Sequence, residues 1–128
     1  MEGYHLRREK GAALVEYALI APLLFLLLFG IIEFSILVFS YNTIANAARE
    51  GARYGIIHPG DAGGIESAAR GLTTGLDQAA LQVSSTASGK TIRVEIVYPV
   101  DLITGLIVEA VGGDPTVDLH AAATMHIE

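Results

Sequence analysis

The sequence contains no cysteine and no tryptophan. Without cysteine there is no disulfide scaffold. Charge is scarce too: Asp, Glu, Lys and Arg make up 17% of the 128 residues, against a usual ~25%, while 52% are apolar. That balance excludes intrinsic disorder, which needs low hydrophobicity and high charge. Positive charge is scarcest. Eight Lys and Arg stand against 14 Asp and Glu, a net charge of −6 that phosphate repels, which argues against nucleic acid as a partner. The length allows one small domain. The shortage of charge is uneven: residues 18–32 carry none, and residues 12–48 only Glu16 and Glu33. What remains is a small membrane-associated chain with a polar, acidic second half.

The opening MEGYHLRREK is hydrophilic and carries Arg7, Arg8 and Lys10 just ahead of the apolar run ALIAPLLFLLLFGII, Ala18 to Ile32. Cations beside such a run hold that end in the cytoplasm. Crossing the hydrocarbon core takes ~20 helical residues, and the flanks Ala12–Val15 and Phe34–Phe39 bring the stretch to that length. A buried core helix is the alternative, but so small a chain cannot easily bury a helix that is apolar all round. A signal peptide cut after Ala45-Asn46-Ala47 is another. Glu33 interrupts it, and the match stands fifteen residues past the run, farther than a signal peptide allows. Pro22 removes one backbone bond and bends the helix without ending it.

Beyond the span the helical pattern continues to Tyr54, with Ile44, Ala48 and Ala52 along one stripe. Arg49 and Arg53 are four apart and share another face. His58-Pro59-Gly60 ends the helix. A helix from about Ala12 to Tyr54 is about 65 Å long, so half of it projects from the bilayer or packs against copies of itself. Glu16 is the most informative residue. A carboxylate in a membrane helix costs roughly 2.5–3.5 kcal/mol toward the centre, less near the edge, and normally has a partner. No cation lies between Ala12 and Leu19. A cut between Gly11 and Ala12 would create one, the new α-amino group, able to pair with Glu16 of its own chain or of the next subunit. The mature chain would keep 5 bases and 12 acids, net −7, since the leader holds Arg7, Arg8, Lys10, Glu2 and Glu9. Glu33, seventeen residues on, points ~260° around the helix from Glu16. It marks the outer edge of the span or meets Arg49 or Arg53 of another subunit.

Lys10-Gly11-Ala12-Ala13-Leu14-Val15-Glu16-Tyr17 resembles the leader junction of type IV pilin-like proteins of the Tad (Flp) branch, with Gly at the cut and Glu and an aromatic at mature positions five and six. RREKGAALVEYALIAPLLFLLLFGIIEFS, AAREGARYG and the closing VEIVYPV and AAATMHIE are similar to the TadE-like family of minor pilins or pseudopilins; residues 60–88 match only loosely. The resemblance implies a cytoplasmic leader over 1–11 removed by a prepilin peptidase, a hydrophobic helix over 12–57 (spanning at about 17–39) and an exported head over 58–128. It implies assembly through Glu16 and Tyr17 with other pilin and minor pilin subunits, on an inner-membrane assembly platform, in priming or at the tip of a Tad-type pilus. The expected location is the inner membrane of a bacterium or archaeon, single-pass with the N-terminus in the cytoplasm, or an extracellular pilus once assembled. The alternatives are the major shaft subunit of a related filament, or a single-span protein with an external binding domain.

The second half reads as an α+β head. His58 to Gly64 is a loop, with Asp61 placed to cap a helix carrying Ile65, Ala68, Ala69, Leu72 and Leu76. Leu81, Val83 and Ser85 suggest a strand, Ser88-Gly89-Lys90 a turn, and Ile92 to Tyr98 a half-buried strand ended by Pro99. Asp101 is placed to cap Leu102–Val111, with Gly112 as the stop. That apolar segment is either a helix packed on the sheet or a surface touching the membrane or a partner subunit. A last strand puts Val117, Leu119, Ala121, Ala123, Met125 and Ile127 on one face. About three antiparallel strands with short helices result. No catalytic motif, cofactor or metal is expected. His120 and His126 stand ~20 Å apart on one strand, and Asp61, Glu66, Asp77 and Asp114 read as ordinary surface acids rather than a calcium site.

Overall fold

The computed structural model describes residues 2–128, with side chains from Arg7 onward. It contains α1 (Glu2–Ile57), α2 (Ala62–Arg70), β1 (Gln82–Ser88), β2 (Thr91–Asp101), α3 (Gly105–Ala110) and β3 (Thr116–His126). The fold is α+β. The chain forms two compact units, one ending at Phe34 and the other running from Ser35 to Glu128.

The first unit is helix alone. Leu, Ile, Phe and Ala suit a helix, and Pro22 sits inside α1 without ending it. The second unit opens with the C-terminal turns of α1, packed on an antiparallel sheet of order β1-β2-β3. The stripe read from the sequence is the reason. Ile44, Ala47, Ala48 and Ala52 are fully buried, together with Ile65 and Ala69 of α2, Leu81, Ile92, Val94, Ile96 and Ala121. This part of α1 therefore packs on its own sheet. Cleavage after Ala47 would cut through that core.

Two glycines one turn apart let α1 approach the sheet closely. A Cβ at Gly51 would stand 3.2 Å from Val94 Cγ1, and one at Gly55 2.8 Å from Ile92 Cγ2. As α1 numbers rise, β2 numbers fall, so helix and strand run in opposite senses. Gly55→Leu is expected to lower head stability by about 1–3 kcal/mol through overpacking. Gly60→Leu, where a Cβ meets nothing within 4 Å, is expected to change little. Thermal unfolding of the detergent-solubilised protein reads the difference, and equal midpoints would contradict the packing.

β1 and β2 pair from Gln82↔Val97 to Ser88↔Thr91, so Gly89-Lys90 closes a two-residue hairpin. β3 pairs with β2 from Thr91↔His126 to Asp101↔Thr116. The alternation expected of the last strand is present, with Ala121 buried and Val117, Leu119, Ala123 and Met125 half-buried.

Four local expectations are corrected. Pro99 does not end β2, which runs on to Asp101. Beyond Val97 it has β3 on one side only, and a proline is tolerated where no neighbour needs its missing N–H. Gly63 and Gly64 belong to the first turn of α2 rather than to the loop, because Asp61 Oδ1 accepts the Gly64 N–H at 2.9 Å. That helix stops at Arg70, short of Leu72 and Leu76. Thr73 Oγ1 donates to the Arg70 carbonyl at 2.8 Å, and Gly75 takes φ +92°, outside any helix. Asp101 is not the N-cap of α3, a position taken by Thr104. It ends β2 and accepts a hydrogen bond from Thr116 Oγ1 at 3.0 Å. α3 is left six residues long behind Thr104, without a side-chain cap bond, and its Leu106 and Ile107 side chains face outward.

Candidate functional site

The described helix Arg7–Ile57 is long and apolar enough to cross a membrane, and 6% of its most apolar 18-residue window is buried within the chain. A core helix of a water-soluble fold would be mostly buried. Here Leu14, Leu19, Leu23, Phe25, Leu27, Ile31 and Phe34 stand exposed on every side. Their burial must come from outside the chain.

Gly11 and Ala12 are exposed within α1, and a Cβ at Gly11 would meet nothing within 4 Å. Glycine inside a helix costs roughly 1 kcal/mol relative to alanine, and no packing in this chain repays it. Glu16 and Tyr17 are also exposed. Among the described residues Glu16 has no hydrogen-bond or ion-pair partner. Ala12 and Glu16 are four apart, hence on one face. Glu33 differs: it is half-buried and engaged within the chain.

Arg49 and Arg53 are brought together on the outward face of α1, away from the buried stripe. Arg49 Nη1 donates to Asn46 Oδ1 at 3.1 Å, and Arg53 Nη1 lies 3.7 Å from Glu50 Oε2. With Thr43, Leu72 and Met125 they line an open groove. Both ion-pair and hydrogen-bond partners are exposed helix neighbours, an arrangement that adds little stability and leaves the guanidinium groups accessible.

Two clusters escaped the sequence reading. Tyr54 Oη donates to Asp61 Oδ2 at 2.8 Å and its ring stacks on His58, centroids 4.6 Å apart. The Gly64 N–H and the Tyr54 hydroxyl hold the Asp61 carboxyl below the usual aspartate range. The same hydrogen bond, with some desolvation and the Asp61 charge, raises the Tyr54 phenol. The clasp fixes the reversal between α1 and α2. A side chain at position 64 would collide with the Tyr54 ring. The second cluster is Arg70, whose Nε meets Glu66 Oε1 at 2.8 Å while Nη1 and Nη2 donate to the Gln78 and Leu81 carbonyls at 2.9 and 3.0 Å. The Glu66–Arg70 spacing was a visible signal. The two carbonyls were not, because carbonyl acceptors carry no side-chain signature.

The acids considered for calcium are spent locally. Asp77 Oδ1 accepts the Ala79 N–H at 3.0 Å and Asp114 Oδ1 the Thr116 N–H at 2.9 Å, beside the Asp61 and Glu66 contacts above. Among the described residues no three His, Asp or Glu side chains are grouped to hold a metal. His120 and His126 pair across from Val97 and Thr91 at separate points of β2.

No curated protein and no solved structure matches the chain. Residues 11–53, from the glycine of the junction through the paired arginines, match the model of the family described as TadE-like protein, and over that segment the chain is similar to that family.

Proposed function

We propose that this chain is a minor pilin or pseudopilin of a Tad-type pilus, a structural subunit that a prepilin peptidase cuts after Gly11 and that then takes part in priming or capping assembly. The observation that carries this is an exposed apolar helix with a carboxylate, Glu16, that has no polar partner among the described residues and stands five residues after a glycine that the fold itself does not need. Cutting there gives Ala12 a positive α-amino group on the face of Glu16. In a bundle of such helices the amine of one subunit and Glu16 of the next pair in a low-dielectric setting, where the pairing is strong and fixes axial register. Tyr17 lies beside it. Arg49 and Arg53 supply a basic face for neighbouring subunits, with Glu33 of another helix as a candidate acceptor. The bilayer holds the span at about 17–39 until assembly, with the leader in the cytoplasm and the head outside.

The test is quantitative proteomics of sheared filaments together with piliation of a deletion strain. The subunit is expected at a small molar fraction of the filament, and its deletion is expected to remove or sharply reduce filaments. Great molar excess would make it the shaft subunit. Wild-type piliation in the deletion strain would contradict the assembly role and favour a single-span protein with an external binding domain.

A further inference from the structure

The geometry points to a second lipid contact on this chain, made by the apolar turn from Ile103 to Val111, which seats in the membrane–water interface beside α1. The inference rests on the membrane-anchored reading of that helix. Between Asp101 and Gly112 the only charge is Glu109. Gly105 is buried and Val108 half-buried, which turns the other apolar side chains outward. Leu106 and Val111 are 83% and 81% exposed, Ile107 and Ile103 55% and 52%. Leu106 and Ile107 are neighbours on the outward side of α3, with Ile103 just before the helix and Val111 just after it. A contiguous exposed cluster of this kind marks an interaction surface.

Its place within the Ser35–Glu128 unit identifies the occupant. Ile92 lies against Gly55 and Val94 against Gly51. At the far end of β2, Val100 and Asp101 line a recess together with Ile36 and Ser40 of α1. β2 thus delivers residues 102–111 to the end of the head where α1 is still apolar and exposed, at Ile36, Val38 and Phe39, with Tyr41 beside them. Tyrosine is the residue type that favours the headgroup level. The opposite end of the sheet, around Gly89-Lys90, is polar. No Lys or Arg occurs after Arg93, so the contact is apolar and needs no anionic lipid. Four aliphatic side chains fall well short of the ~1,200 Å² that a stable protein interface buries. A surface already tethered by α1 needs far less, because the anchor keeps it at high local concentration.

The absence of tryptophan makes the test direct. Full-length protein carrying Leu106→Trp is reconstituted in phosphatidylcholine vesicles, with Leu24→Trp and Thr86→Trp in parallel and Val111→Trp as a second reporter on the turn. Leu106→Trp and Val111→Trp are expected to emit further to the blue than Thr86→Trp, to resist iodide, and to lose about half their emission to lipid labelled with nitroxide near the headgroup. Leu24→Trp is expected to be quenched by nitroxide deep in the acyl chain. If Leu24→Trp is quenched while both turn reporters stay open to iodide and blind to labelled lipid, the second contact is wrong and the anchor stands. Turn reporters shielded from iodide but not quenched by lipid, with shielding that falls on dilution into more lipid, would assign the surface to a second copy and overturn the inference. Failure of the Leu24→Trp quenching would overturn anchor and inference together.

Discussion

Glu16→Ala is expected to leave leader cleavage and membrane insertion intact while removing the subunit from filaments. The reason is the asymmetry of a buried pair. Removing one partner leaves the other charge uncompensated, at a cost of about 3–5 kcal/mol. At about 1.4 kcal/mol per tenfold, that is roughly a hundredfold or more in the equilibrium for joining the bundle. Insertion itself becomes easier, since a carboxylate leaves the span. Glu16→Gln keeps the shape and an acceptor but loses the charge, so it is expected to fall between alanine and the native chain. Filament-associated protein is compared with membrane-associated protein by immunoblot after shearing. Normal incorporation of Glu16→Ala would remove the proposed amine–carboxylate pairing. The structure sharpens this expectation, because Glu16 is exposed and has no polar partner among the described residues.

Val94→Asp is expected to unfold the head. Val94 is fully buried, stands against Gly51 of α1, and pairs with Ser85 on one side and Ala123 on the other. A carboxylate there has no cation to meet, and its effective burial penalty of several kcal/mol is comparable with the ~5–15 kcal/mol that hold a small domain together. The opposite result is expected for Leu24→Asp. Leu24 is about half exposed, so the head's unfolding midpoint should not move while membrane partition weakens. Limited proteolysis and near-UV circular dichroism in detergent read the first effect, and flotation with vesicles the second. A native-like Val94→Asp head would contradict the assigned core.

What could be read from residues and what could not divide along physical lines. The long helix was legible because an uncharged stretch has one stable form in lipid. The stripe of Ile44, Ala48 and Ala52 was legible as a stripe, yet its partner was not, since periodicity reports a buried face and says nothing of what buries it. Gly51 and Gly55 take their meaning only from Val94 and Ile92, more than thirty residues away in sequence. The hairpin at Gly89-Lys90 and the last strand followed from alternation. Pro99 misled because a proline signals a strand end only when both sides of the strand are paired. Asp101 misled because a capping residue and a strand-end residue are the same residue type, and the Thr116 hydroxyl that claims it lies fifteen residues on. The outward turn of Leu106 and Val111 was not legible, because the apolar segment reads equally as a helix packed on the sheet or as a contact surface, and which side chains face the sheet is settled only once Gly105 and Val108 are seated. Glu16 stands out in the sequence as a carboxylate in an apolar helix and Asp61 as a helix cap, whereas Tyr54 and Arg70 act through contacts that close after the chain folds.

The central claim is a cut that frees the α-amino group of Ala12, and intact-mass and N-terminal analysis of the protein extracted from membranes of a cell with active prepilin peptidase measures it most directly. The account predicts a mature chain that begins at Ala12 and has lost its eleven-residue leader with Arg7, Arg8 and Lys10. A chain that still begins at Met1 or Glu2 would contradict it.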